Sequence, residues 1–166
     1  MSTDFAHKKI LVLGAGVTGN SVARFLQSRG AQITFTDDTA QGAVKPSEVN
    51  LKDFDAVVIS PGWRQDHPLV IQILSSSIET LNEIDIAWSL RAERAPGQRW
   101  IALTGTNGKT TTVEMTAAIL QAAGIKAVAC GNVGDTVIDA VDRDDAYEVL
   151  VLELSSFQLH LSLIHI

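Results

Sequence analysis

Apolar and polar positions along the chain follow two rhythms. The run "KILVL" at residues 9–13 predicts a buried strand, and the pattern over residues 18–28 predicts a helix. Residues 33–36 read as a second strand and residues 55–59 as a third, closed by the turn Ser60-Pro61-Gly62. Residues 68–75 read as a helix, and residues 82–94 as another, with Ile84, Ala87, Trp88 and Arg91 at helical spacing. Short apolar runs between helical patterns predict a parallel sheet with right-handed crossovers.

The pattern breaks at Ala95-Pro96-Gly97-Gln98-Arg99, which reads as a linker between a Rossmann-like unit at 1–95 and a second α/β unit at 96–166. That second unit resumes the alternation: strand 100–103, helix 110–123, strand 126–129, short helix 136–142 and strand 148–154. Its close, "SSFQLHLSLIHI" at 155–166, begins like a functional loop and ends on alternating apolar residues. A unit of roughly 60 residues buries only about 60% of its unfolded surface. Few strands and no polar tail therefore give the expectation of a chain that is incomplete at its C-terminus.

Composition narrows the class. Hydrophobic residues make up 46% of the 166 and charged residues 19%, a globular balance. A net charge of -6 argues against nucleic-acid partners, which need a basic surface. An anionic ligand stays open, because backbone N–H groups and one lysine bind phosphate locally. The single cysteine, Cys130, allows no internal disulfide, and no run reaches the length of a membrane span. The expectation is a cytoplasmic protein with no membrane insertion. Cys130 and His67 read as packing and surface residues, and Trp88 and Trp100 as core or inter-domain packing.

Two glycine-rich turns carry the chemistry. In "LVLGAGVTGNS", Gly14, Gly16 and Gly19 fit G-x-G-x-x-G after a strand and at the start of a helix. The acidic pair Asp37-Asp38 follows the second strand, where a ribose hydroxyl is met. The motif serves a nucleotide or simply close helix–strand packing, and does not separate NAD from another nucleotide.

The second turn is T-G-T-N-G-K-T at 104–110, shorter than the strict G-x-x-x-x-G-K-[ST] loop. The mechanics survive the shortening, since loop amides and a helix N-terminus still face an anion. Lys109 would neutralise terminal phosphates and the Thr110 hydroxyl would ligate magnesium. Glu153, ending the last strand, would help hold the same ion.

Together these pieces resemble the Mur ligase family, the ATP-dependent amide-forming enzymes that build the peptidoglycan peptide. The family's phosphate loop, T-G-T-N-G-K-[ST], is matched at 104–110. Within the family "ELSSFQL" at 153–159 looks like the D-glutamate-adding branch. "GAGVTGNS" at 14–21, "SPG" at 60–62 and "GNVG" at 131–134 look like it too, so the likeness runs from about residue 9 to 159.

The resemblance implies a first unit that binds the UDP part of the substrate rather than NAD. Val17 and Thr18 would meet the diphosphate and Asp37 the uridine side, with Ser60, Pro61 and Gly62 lining the same pocket. Asn132 and Ser155 would contact the muramoyl part. Gly105, Thr106, Asn107, Gly108, Lys109, Thr110 and Thr111 would bind ATP, with Thr110 and Glu153 on Mg2+ and Lys109 and Glu153 catalytic. The implied reaction is ADP-forming: the carboxylate of UDP-N-acetylmuramoyl-L-alanine becomes an acyl phosphate, and the amine of D-glutamate displaces phosphate. The implied state is a cytoplasmic monomer.

The family continues beyond the matched stretch, with a magnesium-ligating histidine, a carbamylated lysine and a third domain. His160 and His165 match neither, and Trp63 reads equally as a cover for a base or as a loop residue packing on the domain. This chain alone is therefore expected not to complete the reaction. Two rivals remain: a nicotinamide-dinucleotide-binding domain, which leaves 104–110 unexplained, and another amide ligase of the same superfamily.

Overall fold

Two parallel sheets organise the protein. The computed structural model describes residues 5–161; His165 and the rest of the closing apolar run lie outside them. The chain divides into two compact units, Met1–Glu83 and Ile84–Ile166.

In the first unit, β1 (Lys9–Leu13), α1 (Val17–Ser28), β2 (Gln32–Thr36), β3 (Ala56–Ile59), α2 (Pro68–Leu74) and β4 (Glu79–Leu81) succeed one another. The strands form one parallel sheet in the order β2-β1-β3-β4. Two short 3-10 turns, Pro46–Glu48 and Leu51–Asp53, lead into β3. The apolar runs have a physical cause: β3 is buried at every position and β1 at all but Lys9, as expected of strands covered on both faces. Ile10, Leu11, Leu13, Leu26, Ile59 and Ile73 are fully buried, each contributing about 1.5–3 kcal/mol. The β1–β2 and β1–β3 registers set Leu13 opposite both Thr36 and Ile59. Gly14, Asp37 and Ser60, each one residue past its strand, therefore gather at one edge of the sheet.

The second unit holds most of α3 (Glu83–Arg94), then β5 (Arg99–Leu103), α4 (Lys109–Ala122), β6 (Ala127–Gly131), α5 (Val137–Val141), β7 (Val149–Glu153) and α6 (Ser156–Leu161). Its parallel sheet runs β5-β7-β6. β7 is central and buried throughout. Val149 and Val151 pack with Val113 and Ala117 of α4 and with Ala127 on one face. By alternation Leu150, Leu152 and Leu154 fill the other, where they too are buried.

The compact units part after the first residue of α3, upstream of the Ala95–Arg99 stretch. The reason is local: α3 is tied to the chain immediately C-terminal to it. Arg91 donates through Nη1 to the Gln98 carbonyl at 2.8 Å, and the Trp88 and Trp100 rings meet edge-on at 5.0 Å. Trp88 nevertheless remains 39% exposed, so it is not a core residue. The three-residue β4 and the helix α6 are elements that the hydrophobic pattern does not predict.

One glycine sets the spacing between α1 and β1. A side-chain carbon at Gly19 would lie 1.9 Å from the Gly14 carbonyl oxygen, an overlap that only backbone movement relieves. At Gly16 the same carbon meets nothing within 4 Å. Gly19→Ala is expected to destabilise the first unit by about 2 kcal/mol or more, while Gly16→Ala stays within about 1 kcal/mol. Urea unfolding of the two variants beside the parent measures the difference.

Candidate functional site

The loop between β5 and α4 is built around two glycines in left-handed backbone. Gly105 has φ +153° and Gly108 has φ +74°, and neither would meet an atom within 4 Å if it carried a side chain. Residues 104–108 are exposed. Gly108 is the N-cap of α4 and supplies no side-chain cap, so the first-turn amides of this 14-residue helix get no hydrogen bond from it. A helix end left open in this way favours an anion.

Lys109 and Thr110 open the helix with opposite assignments. The Lys109 ammonium donates to the Gly105 carbonyl at 2.9 Å, which folds the side chain back over the loop. Thr110 Oγ1 donates to Glu153 Oε2 at 2.7 Å across 43 residues of sequence. The pairing of Leu103 with Glu153 brings the two together, because the loop leaves β5 where the carboxylate ends β7. Glu153 is 6% exposed. A carboxylate at that depth, with a neutral hydroxyl as its side-chain partner, is a group that could serve as a cation ligand.

Asn132 meets the main chain of the same glutamate. Its amide donates to the Glu153 carbonyl at 3.1 Å, and its side chain is exposed. The approach depends on Gly131, at φ +103°, where a side-chain carbon would lie 2.6 Å from the Glu153 carbonyl oxygen. Ser155 and Gln158 have a different local job. Gln158 Oε1 accepts from the Ser155 amide at 2.8 Å, and Ser155 Oγ accepts from the Gln158 amide at 3.2 Å. This reciprocal pair is a capping box that starts α6 inside "SSFQ", the stretch expected to begin a loop.

In the first unit the glycine turn is arranged differently. Gly14, at φ +92°, lies under Trp63: a side-chain carbon there would be 3.0 Å from the indole Nε1. Ser60 is 9% exposed, and its hydroxyl lies close to both Gly14 and Gly19 with no hydrogen-bond partner. Val17 is 78% exposed at the first position of α1, an apolar residue held out beside the turn. Thr18 is half-buried and Pro61 likewise, while Gly62 is exposed. A cleft of about 320 Å³ is lined by Asp37, Asp38, Thr39, Gly62, Trp63, Arg64 and His67. The fold thus brings Asp37 and Gly62 to one place. Trp63 lies over Gly14 and lines the same cleft.

Asp37 is the most constrained acid of this edge. Oδ2 accepts from the Ala15 amide at 3.1 Å, and Oδ1 accepts from the amides of Thr39 and Ala40 at 2.9 and 3.0 Å and from the Thr39 hydroxyl at 3.1 Å. The Thr39 amide, then those of Ala15 and Ala40, hold the carboxyl down at about 2, against an ordinary 3.8. Its partners in the structure are loop amides and one hydroxyl, so it ties the glycine turn to the turn after β2.

Among the described residues no group of three or more His, Cys, Asp or Glu is placed to hold a metal ion, and no helix is long and apolar enough to cross a membrane. Residues 103–165, which include the lysine loop, match the family model described as Mur ligase middle domain. The UDP-N-acetylmuramoylalanine–D-glutamate ligase of Nocardia farcinica is 39% identical over 92% of this chain and 35% of its own length. That of Thermobifida fusca is 40% identical over 93% and 37%, and that of Mycolicibacterium vanbaalenii 41% identical over 91% and 34%. The chain therefore spans little more than a third of the length of the relatives it matches. Among solved structures, a UDP-N-acetylmuramate:L-alanyl-gamma-D-glutamyl-meso-diaminopimelate ligase from Neisseria meningitides aligns with 92% of this chain and 55% of its own, at 18% identity and a TM-score of 0.48. Identity near 40% over most of the sequence, with a family model seated on the lysine loop itself, places this chain in the Mur ligase family.

Proposed function

We propose that the chain carries two nucleotide-handling sites of an ADP-forming ligase that joins D-glutamate to UDP-N-acetylmuramoyl-L-alanine in peptidoglycan precursor synthesis, acting as a cytoplasmic monomer. The names of the curated relatives support the substrates. The observation that carries the reading is the open helix end with Lys109, Thr110 and the buried Glu153 converging on it. As the chain spans about a third of those relatives, the complete reaction is proposed for the whole protein.

The donor set fits Mg2+, which takes one or two protein ligands and completes its shell with phosphates and water. Thr110 and Glu153 would hold the ion. When bound, it neutralises phosphate oxygens and so eases the approach of an anionic carboxylate. Residues 105–108 present backbone amides to the triphosphate, and Lys109 exchanges the Gly105 carbonyl for terminal phosphate oxygens. The substrate carboxylate attacks the γ-phosphorus and ADP leaves. The amine of D-glutamate then attacks the acyl carbon, and phosphate departs with the C–O bond. Catalysis of this kind is mostly positioning and charge stabilisation.

In the first unit Val17, Thr18, Ser60, Pro61 and Gly62 line the UDP side, and the unpartnered Ser60 hydroxyl is a donor left over beneath the turn. Asn132 and Ser155 face the muramoyl part. Asp37 acts on the uridine side chiefly by fixing the turns around it. That commitment disfavours the nicotinamide alternative, in which an acid at this position takes ribose hydroxyls.

Calorimetry of the chain with nucleotides tests the reading. Mg-ATP is expected to bind, and Lys109→Ala to weaken it by about 10- to 100-fold, the range for losing a charge-assisted contact. Glu153→Gln is expected to remove most of the magnesium dependence, and UDP to bind the first unit in preference to NAD. ATP affinity indifferent to Lys109, or a preference for NAD, would overturn it. Asp37 gives a separate pH signature. Its folded-state carboxyl titrates below its ordinary value, so its contribution is complete above pH 3.8 and is lost as pH falls towards 2. Acid unfolding of Asp37→Asn is expected to be less steep across that window than that of the parent.

A further inference from the structure

The chain has five asparagines, and the fold treats them unequally. Asn20 is tied through Nδ2, which donates to the carbonyls of Ala15 at 2.5 Å and Gly16 at 2.9 Å. Asn50 Oδ1 accepts from the Lys52 amide at 3.3 Å. Asn82 is buried, at 3% exposure. Asn132 is exposed, but the residue after it is the β-branched Val133, whose bulk crowds the intervening peptide nitrogen. Asn107 differs from all four. It is exposed, glycine follows it, and among the described residues its side chain has no hydrogen-bond partner.

Gly108 supplies the other half of a reactive pair. Its amide makes no hydrogen bond among the described residues, since the turn ahead of α4 offers it no acceptor. It carries no side chain to shield its own nitrogen, and the space beside its α-carbon is empty to 4 Å. Gly105 and Gly108, both in left-handed backbone, leave the peptide between them freer to rotate than any other residue type would. An unheld carboxamide therefore stands next to an unheld, unshielded peptide nitrogen, in exposed chain.

We propose that Asn107 is a site of spontaneous covalent modification, with water as co-reactant and bound nucleotide as its protector. The Gly108 nitrogen loses its proton to solvent base and attacks Asn107 Cγ. The new C–N bond closes a five-membered imide, the Cγ–Nδ2 bond breaks, and ammonia leaves after taking up a proton. Water then adds to one of the two imide carbonyls and opens the ring. The product at 107 is aspartate or isoaspartate, according to which carbonyl is attacked.

The change reverses the electrostatics of the loop. A carboxylate at the N-terminal end of α4 suits the helix dipole, so the modified chain keeps its fold. The same carboxylate repels phosphate from the loop amides, and isoaspartate also lengthens the loop backbone by a methylene. Protection rests on the nucleotide reading above: a phosphate oxygen held by the Gly108 amide occupies the nitrogen that the ring closure needs. The loop thus ages when empty and persists when filled.

The 166-residue chain, kept free of nucleotide in mildly alkaline buffer, is followed over days by peptide-mapping mass spectrometry and by isoaspartyl methyltransferase labelling. Ammonia loss is expected at Asn107 at least about tenfold faster than at Asn20, Asn50, Asn82 or Asn132, as the freedom from a single hydrogen bond or local opening step allows. Saturating Mg-ATP is expected to slow it at least about tenfold. Asn107→Gln should remove the signal from this position, because the longer side chain closes a ring less readily. Asn107→Asp is expected to keep the parent's circular dichroism and to bind Mg-ATP at least about tenfold more weakly. Loss at Asn107 no faster than at the other four sinks the proposal. So does an unchanged rate under Mg-ATP that calorimetry shows to be bound, or an Asn107→Asp chain with the parent's affinity. Modification of Asn107 in a chain that binds no Mg-ATP at all supports the site and overturns the nucleotide reading, and the protection with it.

Discussion

Leu103 stands opposite Glu153 because β5 and β7 run parallel in that register. Much of the second unit's chemistry descends from this pairing. It puts a buried carboxylate at the point where the chain leaves the sheet for α4, and so places it within reach of the second residue of that helix. A slip of one residue would turn every β7 side chain to the opposite face and exchange Glu153 for an apolar neighbour. The apolar packing of Val149 and Val151 on α4 therefore fixes the chemical site as well as the core.

The two glycine-rich turns look alike in sequence and differ in physical purpose. At the β1–α1 turn the third glycine is demanded by contact, since Gly19 has the Gly14 carbonyl against it. At the β5–α4 turn the glycines are demanded by backbone angle, and the space beside them is empty. The first turn is thus shaped by its own chain, with Asp37 and Trp63 holding it from two sides. The second owes its shape to backbone angle alone and stays open to solvent.

Much of this was legible in the sequence. Residues 9–13, 33–36, 55–59, 100–103 and 148–154 fall on strands to within a residue or so; for β1, β3 and β7 the reason is that strands buried on both faces are apolar almost without interruption. The meeting of Thr110 with Glu153 follows from a rule readable in the sequence, since a parallel sheet gathers the C-terminal ends of its strands at one edge. β4 was not, because "ETL" is too short to show a period, and its place depends on β3 beside it. The saturation of Asp37 was also hidden: an acid after a second strand looks the same whether it faces a ligand or its own loop. "SSFQ" carries the S-x-x-Q capping-box signature, the local signal for α6.

Gly131 lets β6 press against the end of β7 until Asn132 rests on the Glu153 carbonyl. That pinch joins two levers at one pivot. Glu153 is thereby held at both ends, its carbonyl by the Asn132 amide and its carboxylate by the Thr110 hydroxyl.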